Sequence, residues 1–155
     1  MEAEVTTSYE DLLERFKHLL KLSGLKYTQQ REAILRTIYE SEGHFTPEML
    51  HQQVQQLFSD QKIGIATIYR TLSLLESEHI VTSISFGVSG KKYEFGMKQH
   101  HDHMICDKCG KMIEFVDETI EKRQAAIAKN HNFIITGHTL QIHGICEECQ
   151  KEKKR

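Results

Sequence analysis

No run of apolar residues in this 155-residue sequence approaches the roughly 20 that a membrane-spanning helix needs. The N-terminal stretch MEAEVTTSYEDL lacks the basic-then-apolar form of a secretory leader. Neither membrane insertion nor export is expected, and the expected compartment is the cytoplasm. Cysteine is scarce: there are 4, all in two C-x-x-C pairs, so none is spare. H-E-x-x-H and other hydrolytic motifs are missing, and there is no internal repeat or low-complexity tract. An excess of positive charge is missing too, since the formal net charge is −2, which counts against attraction of nucleic acid by the surface as a whole.

What is present is concentrated in Gln99–Gly110, QHHDHMICDKCG. Cys106 and Cys109, with Cys146 and Cys149 about forty residues on, have the spacing of a tetrahedral all-thiolate zinc site. Two disulfides are the alternative, which a cytosolic compartment disfavours. If Gln99–Ile105 is extended, period-two alternation sends His101 and His103 to one face and His100 and Asp102 to the other. One strand can thus feed two separate metal sites. Their imidazole and carboxylate donors accept Fe(II), Mn(II), Co(II) or Zn(II) with little discrimination. Solvated histidines on an exposed strand are the bland alternative.

Taken in order, the chain begins with a frayed acidic tail over 1–7. Ser8 and Asp11 open a helix with Leu12, Leu13, Phe16, Leu19 and Leu20 inward, ending near Ser23-Gly24. A second helix starts at Thr28, with Ile34, Leu35, Ile38 and Tyr39 inward. A third starts at Thr46-Pro47-Glu48 and carries Leu50, Val54, Leu57 and Phe58. Ala66–Ser77 is a fourth, burying Ile68, Leu72 and Leu75 and exposing Thr67, Tyr69, Arg70 and Ser73. The pattern then changes to period two: Val81–Phe86 and Lys91–Phe95 read as strands joined by a tight turn at 87–90. Helices followed by a hairpin suggest a winged helix-turn-helix, with Ala66–Ser77 as the helix that reads the major groove. A protein-binding α+β module is the alternative.

Residues 96–99 read as a hinge. It divides a DNA-binding domain at 1–95 from a small αβ domain at 100–155. In the second domain, His103–Ile105 and Met112–Phe115 are expected strands flanking the first knuckle. Thr119–Asn130 is an expected helix with Ile120, Ala126 and Ile127 buried. Phe133–Ile135 and Thr139–Ile145 are further expected strands, and Gln150–Arg155 is a solvated basic tail. The expected fold class is therefore α+β: a winged helix-turn-helix, then an αβ dimerisation domain with a four-cysteine zinc site. Charge is met locally. Through Val88 the sequence has 8 basic and 12 acidic residues, yet Arg15–Arg36 holds six basic residues against Glu32 alone. Such a patch can contact phosphate although the domain is acidic.

LKYTQQR before the second helix, GIATIYRTL in the reading helix, then HHDHMICDKCG, IEF and the final C-x-x-C resemble the ferric uptake regulator family of metal-dependent repressors. The resemblance runs from about Leu12 to Cys149. It implies a homodimer, held by the C-terminal domains, that binds an A·T-rich palindromic DNA operator when metal is loaded; pairing of dimers into tetramers is left open. It implies a structural Zn(II) on Cys106, Cys109, Cys146 and Cys149, and a regulatory metal between the domains on His44, Glu94, His101, His103 and Glu114. A further metal site falls on His100, Asp102, Glu121 and His138. For DNA it implies that Tyr69 meets thymine methyls, Arg70 the backbone or a base edge, Lys26 an A·T minor groove and Arg31 a phosphate. Without the resemblance, His44 is a helix-flanking surface histidine and Glu94 a solvated strand residue. His143 is expected to pack.

The resemblance also bears on the signal. The two glutamates, Glu94 and Glu114, suit Fe(II), with Mn(II), Co(II) or Zn(II) as surrogates. Peroxide sensors of the family commonly carry Asp at such positions, and zinc sensors often vary the site with a thiolate. Zinc or peroxide response is the second reading. A zinc or thiol enzyme is a remote one, because it needs an open coordination position, a general base and a substrate pocket. The expected function is regulation of iron-uptake genes and iron homeostasis by metal-dependent repression. No enzymatic activity, and no small-molecule substrate beyond metal ions, is expected.

Overall fold

The computed structural model describes residues 7–85, 90–96 and 100–152. The described residues divide into two compact units, one ending at Gly96 and the other beginning at His100. No helix among them is long and apolar enough to cross a membrane.

The first unit contains α1 (Tyr9–Leu22), α2 (Gln29–Glu40), α3 (Pro47–Leu57), α4 (Ile65–Ser77), β1 (Val81–Ser85) and β2 (Lys91–Phe95). Three of the helices start where a hydroxyl satisfies an orphan backbone donor. Ser8 accepts from the Asp11 N–H, Thr28 from Arg31 and Thr46 from Met49. Pro47, which has no N–H to satisfy, takes the first turn of α3. The helices close on a core that includes Leu12, Phe16, Leu35, Ile38, Leu50, Ile68, Leu72 and Leu75. Each such side chain contributes about 1.5–3 kcal/mol on burial. Leu57, expected inward, is exposed because it lies at the last position of α3 and faces away from that core.

α4 ends in a left-handed turn at His79, φ 57°, which lets the Ile80 N–H reach back to the Leu75 carbonyl at 3.0 Å. Arg15 of α1 donates to the Glu78 carbonyl at 3.1 Å and so covers the end of α4. β1 and β2 pair antiparallel, from Val81 opposite Phe95 to Ser85 opposite Lys91. Phe86 and the expected turn residues 87–89 lie outside the described residues, as do 97–99 of the expected hinge, 1–6 of the N-terminal tail and 153–155 of the C-terminal one. The loop after α2 adds a third edge through a two-way bridge between Phe45 and Tyr93, both bonds 2.8 Å. Helices followed by this small sheet form the winged helix-turn-helix. Gly96 closes the unit: its N–H reaches the Ile80 carbonyl at 2.8 Å, and a Cβ there would lie 2.7 Å from the His79 carbonyl.

The second unit contains β3 (Asp102–Cys106), β4 (Met112–Phe115), α5 (Glu118–Asn130), β5 (Gln141–Gly144) and α6 (Glu147–Glu152). β3 is the central strand, antiparallel to β4 and parallel to β5. Asp117 caps α5 by accepting from the Thr119 and Ile120 N–H groups. Among the described residues, its buried apolar side chains are Ile105, Cys106 and Cys149. That is too small a core to hold a domain of this length unaided.

Several expectations change here. α5 has no buried residue: Ala126 and Ile127 are exposed and Ile120 is only half-buried. Phe133–Ile135 is not a strand; 133–140 runs without helix or strand and leaves Phe133 and Ile134 exposed. β5 is shorter than Thr139–Ile145, because only Gln141–Gly144 finds partners on β3. The end of the chain is not wholly a loose tail, since α6 continues through Glu152.

Candidate metal centres and DNA-reading face

The thiol cluster is built by three backbone devices. β3 delivers Cys106, whose N–H donates to the Lys111 carbonyl while the Gly110 N–H returns to the Cys106 carbonyl. Gly110, at φ 75°, supplies the left-handed residue the knuckle needs. The Asp107 N–H donates to the Gly144 carbonyl, holding the end of β5 against the first knuckle. Cys146 follows β5, and α6 carries Cys149. Two ion pairs link the knuckle to α6, Lys108 to Glu152 at 2.7 Å and Lys111 to Glu148 at 2.9 Å.

All four thiols are free and lie within 4.8 Å of one another, which removes the disulfide alternative, whose S–S bond is about 2.05 Å. Cys109 Sγ and Cys146 Sγ are 3.7 Å apart; a tetrahedron of sulfurs about 2.3 Å from one ion has edges of about 3.8 Å. The Cys146 N–H points at Cys106 Sγ at 3.3 Å. That bond and others from the knuckle backbone bring the Cys106 thiol down to about 6, whereas burial pushes Cys149 up to about 12. Without a cation the Cys106 thiolate is favoured while Cys109 and Cys149 resist ionisation. A shared positive ion removes the conflict.

A second cluster lies at the other end of β3, around its first residue, Asp102. His100, Asp102, Glu121 from α5 and His138 converge within 4.8 Å. His100 Nε2 is 3.2 Å from Asp102 Oδ1 and 3.3 Å from Glu121 Oε1. His138 Nε2 is 3.5 Å from the first and 3.3 Å from the second. Four N/O ligands about 2.05 Å from one ion would be about 3.3 Å apart. Both Asp102 oxygens, Glu121 Oε1 and His138 Nε2 are buried without an aligned hydrogen bond. They aim at a common point rather than at each other, which is how ligands are arranged and unlike an ordinary buried ion pair.

The remaining histidine and glutamate positions divide between the units. In the first, the Phe45–Tyr93 bridge sets the neighbouring residues opposite each other, and His44 Nε2 comes to 2.9 Å from Glu94 Oε2. Glu94 is buried rather than the solvated strand residue that its own sequence suggested. In the second, His103 pairs across the ladder with Glu114, His101 Nε2 is 3.6 Å from Glu114 Oε1, and the His101 and His103 rings meet edge-on at 4.8 Å. His143, expected to pack, is exposed and bonds Asp107 at 3.0 Å.

On the first unit, Tyr69 and Arg70 are exposed on α4, and Lys26 is exposed in the loop before α2. The Arg70 Nε–H donates to the Ala66 carbonyl one turn back at 3.2 Å. Arg31 donates to the Lys26 carbonyl, so part of its guanidinium braces the loop that presents Lys26. The Tyr69 hydroxyl donates to Glu48 Oε1 at 2.6 Å. Glu48 was not singled out from sequence, where it reads only as a first-turn acid of α3.

A winged helix-turn-helix in one unit, with a four-thiol cluster and histidine–carboxylate clusters in the described residues, is the build of a metal-responsive transcriptional regulator and not of an enzyme. The chain belongs to the ferric uptake regulator family, whose model matches residues 22–143. It is 55% identical over 147 residues to the ferric uptake regulation protein of Campylobacter jejuni subsp. jejuni serotype O:2, spanning 95% of this chain and 94% of that one. The solved Helicobacter pylori ferric uptake regulator Fur, described as having three functional metal binding sites, is 37% identical with a TM-score of 0.76, over 92% of this chain and 94% of that one. The ferric uptake regulator of Pseudomonas aeruginosa, solved with manganese, is 30% identical with a TM-score of 0.73, over 84% and 97%.

Proposed function

We propose that this regulator is an Fe(II)-dependent repressor of iron-uptake genes that acts in the cytoplasm as a homodimer on an A·T-rich palindrome. The observation that carries the reading is the division of one hard-to-borderline ligand set between the two units. His44 and Glu94, 2.9 Å apart, belong to the DNA-binding unit. His101, His103 and Glu114 belong to β3 and β4 of the other. Three imidazoles and two carboxylates, with no thiolate, suit Fe(II) and its Mn(II) or Co(II) surrogates. An ion held by all five would fix the angle between the units, and in a symmetric dimer that angle sets the spacing of the two reading helices against half-sites one turn, or a multiple, apart. Metal and operator then tighten each other by the same factor, typically about 5–150-fold.

The domains of this reading are a DNA-binding domain at 1–95, a hinge at 96–99 and a dimerisation domain at 100–155. The Cys106, Cys109, Cys146 and Cys149 set holds a structural Zn(II), which supplies the stability that the small core lacks. His100, Asp102, Glu121 and His138 hold a further exchangeable ion close to the dimer contact. The homodimer is supported by what the second unit leaves uncovered: the face of α5, and Phe133, Ile134, Ile113 and Ile142. A second copy would cover them, and the segment 133–140, which lies outside the sheet, would gain a strand partner. Tyr69 would meet thymine methyls, Arg70 a base edge or phosphate, Lys26 an A·T minor groove, and Arg31 a phosphate with the donors that the Lys26 carbonyl leaves over.

The test is operator binding by zinc-replete protein under anaerobic conditions, titrated separately with Fe(II), Mn(II) and Zn(II), with low peroxide added last. Tight binding with Fe(II) or Mn(II) that survives peroxide is expected. Response to trace Zn(II) alone, or loss of binding with oxidised histidine, would move the signal to zinc or peroxide.

A further inference from the structure

Tyr69 is 43% exposed on α4, yet its hydroxyl proton is directed at a neighbouring side chain. The hydroxyl donates to Glu48 Oε1 at 2.6 Å. Glu48 is firmly rooted, since Thr46 caps α3 and the preceding Pro47 is buried. The carboxylate belongs to the first turn, where the helix N-terminus favours negative charge. The phenol proton in turn keeps the Glu48 carboxyl below its ordinary range, so the acceptor stays ionised. An acidic group on a face that meets phosphate opposes binding. Here its charge is turned onto the phenol.

We propose that Glu48 is a positioning and specificity-determining residue for DNA recognition: it holds Tyr69 in one rotamer and consumes its hydroxyl proton, so that the ring offers an apolar edge to thymine methyls. This inference rests on the reading of α4 as the DNA-reading helix. A tied phenol cannot donate to a phosphate or to a base acceptor such as guanine N7 or O6, and its oxygen is left only as an acceptor. Its discrimination is for the methyl group, which thymine carries in the major groove and cytosine and uracil lack. Ordering a side chain before binding rather than during it is worth about 3- to 10-fold in affinity.

The experiment uses the full-length, zinc-replete, Mn(II)-loaded protein and an A·T-rich palindromic duplex selected from a random pool by the wild type. Each protein is compared on that duplex and on the same duplex with uracil in place of thymine, by fluorescence anisotropy. Wild type should lose affinity on the uracil duplex. Glu48→Ala and Tyr69→Phe should each weaken thymine binding about 3- to 10-fold and shrink the uracil penalty, and the double variant should be no worse than either. Glu48→Gln, whose amide oxygen still accepts the phenol proton, should restore most of the penalty. If Glu48→Ala keeps the full wild-type uracil penalty, the positioning role is overturned. If Tyr69→Ala also keeps it, the assignment of Tyr69 to the bases fails first, and the inference falls with it. Unchanged thermal unfolding of the variants separates either result from loss of fold.

Discussion

At the scale of single residues, the thiol cluster brings together side chains that differ in ionisation, Cys106 lowered and Cys109 and Cys149 raised. Backbone N–H groups lower the Cys106 thiol to about 6 from an ordinary 9.0. A depressed folded-state value stabilises the folded form above the unfolded thiol range and is lost as pH falls through about 6. A Zn(II) ion held by the proposed set would lower ligand values further, so its release should begin only below about pH 6, read by a chromophoric chelator during acid titration. Retention of zinc at pH 4 would contradict an all-thiolate site. Cys149→Ser should remove the ion and unfold the second unit, seen as loss of zinc stoichiometry together with loss of its part of the far-UV dichroism. The cysteine spacing was legible in the sequence because both pairs are local motifs. His44 with Glu94 was not: only the Phe45–Tyr93 bridge, between residues 48 positions apart, makes them neighbours, and neither residue's own surroundings in sequence carry that signal.

Among elements, the helices of the first unit could be read from their caps and stripes because each buries its apolar face within the same chain. Ser8, Thr28 and Thr46 mark starts that the structure keeps to the residue. In the second unit the same reading failed where packing is not supplied by the chain itself. α5 has the composition of a half-buried helix but no fully buried residue, and Phe133–Ile135 has strand composition but no pairing partner among the described residues. An apolar pattern shows that a face needs cover, not where the cover comes from. α5 must therefore lean on its cap. Asp117→Ala, which removes the acceptor for the Thr119 and Ile120 N–H groups, should cost about 1 kcal/mol, measured as a shift of the urea midpoint for the second unit. A change below about 0.3 kcal/mol, well under the usual range for such caps, would mean that α5 is held by other contacts.

For the whole molecule, metal-dependent operator binding of the proposed kind needs a second copy and an ion. Phe133, 71% exposed, and Ile134, 85% exposed, are expected at the centre of the contact between copies, where replacing an anchor costs at least about 2 kcal/mol. Phe133→Asp with Ile134→Lys should shift the protein towards monomer by sedimentation equilibrium; an unaltered dimer would place the contact elsewhere. In the proposed mechanism, one ion on His44, Glu94, His101, His103 and Glu114 couples metal to operator. The most direct measurement is a closed binding cycle, using Co(II) as an optical probe on zinc-replete protein. Its affinity is measured with and without operator duplex, and operator affinity with and without Co(II). The two ratios should be equal and between about 5 and 150, and His44→Ala should bring both towards unity while the second unit keeps its zinc. A cycle in which Co(II) binds equally well with and without operator, or in which His44→Ala leaves the coupling intact, would contradict the account.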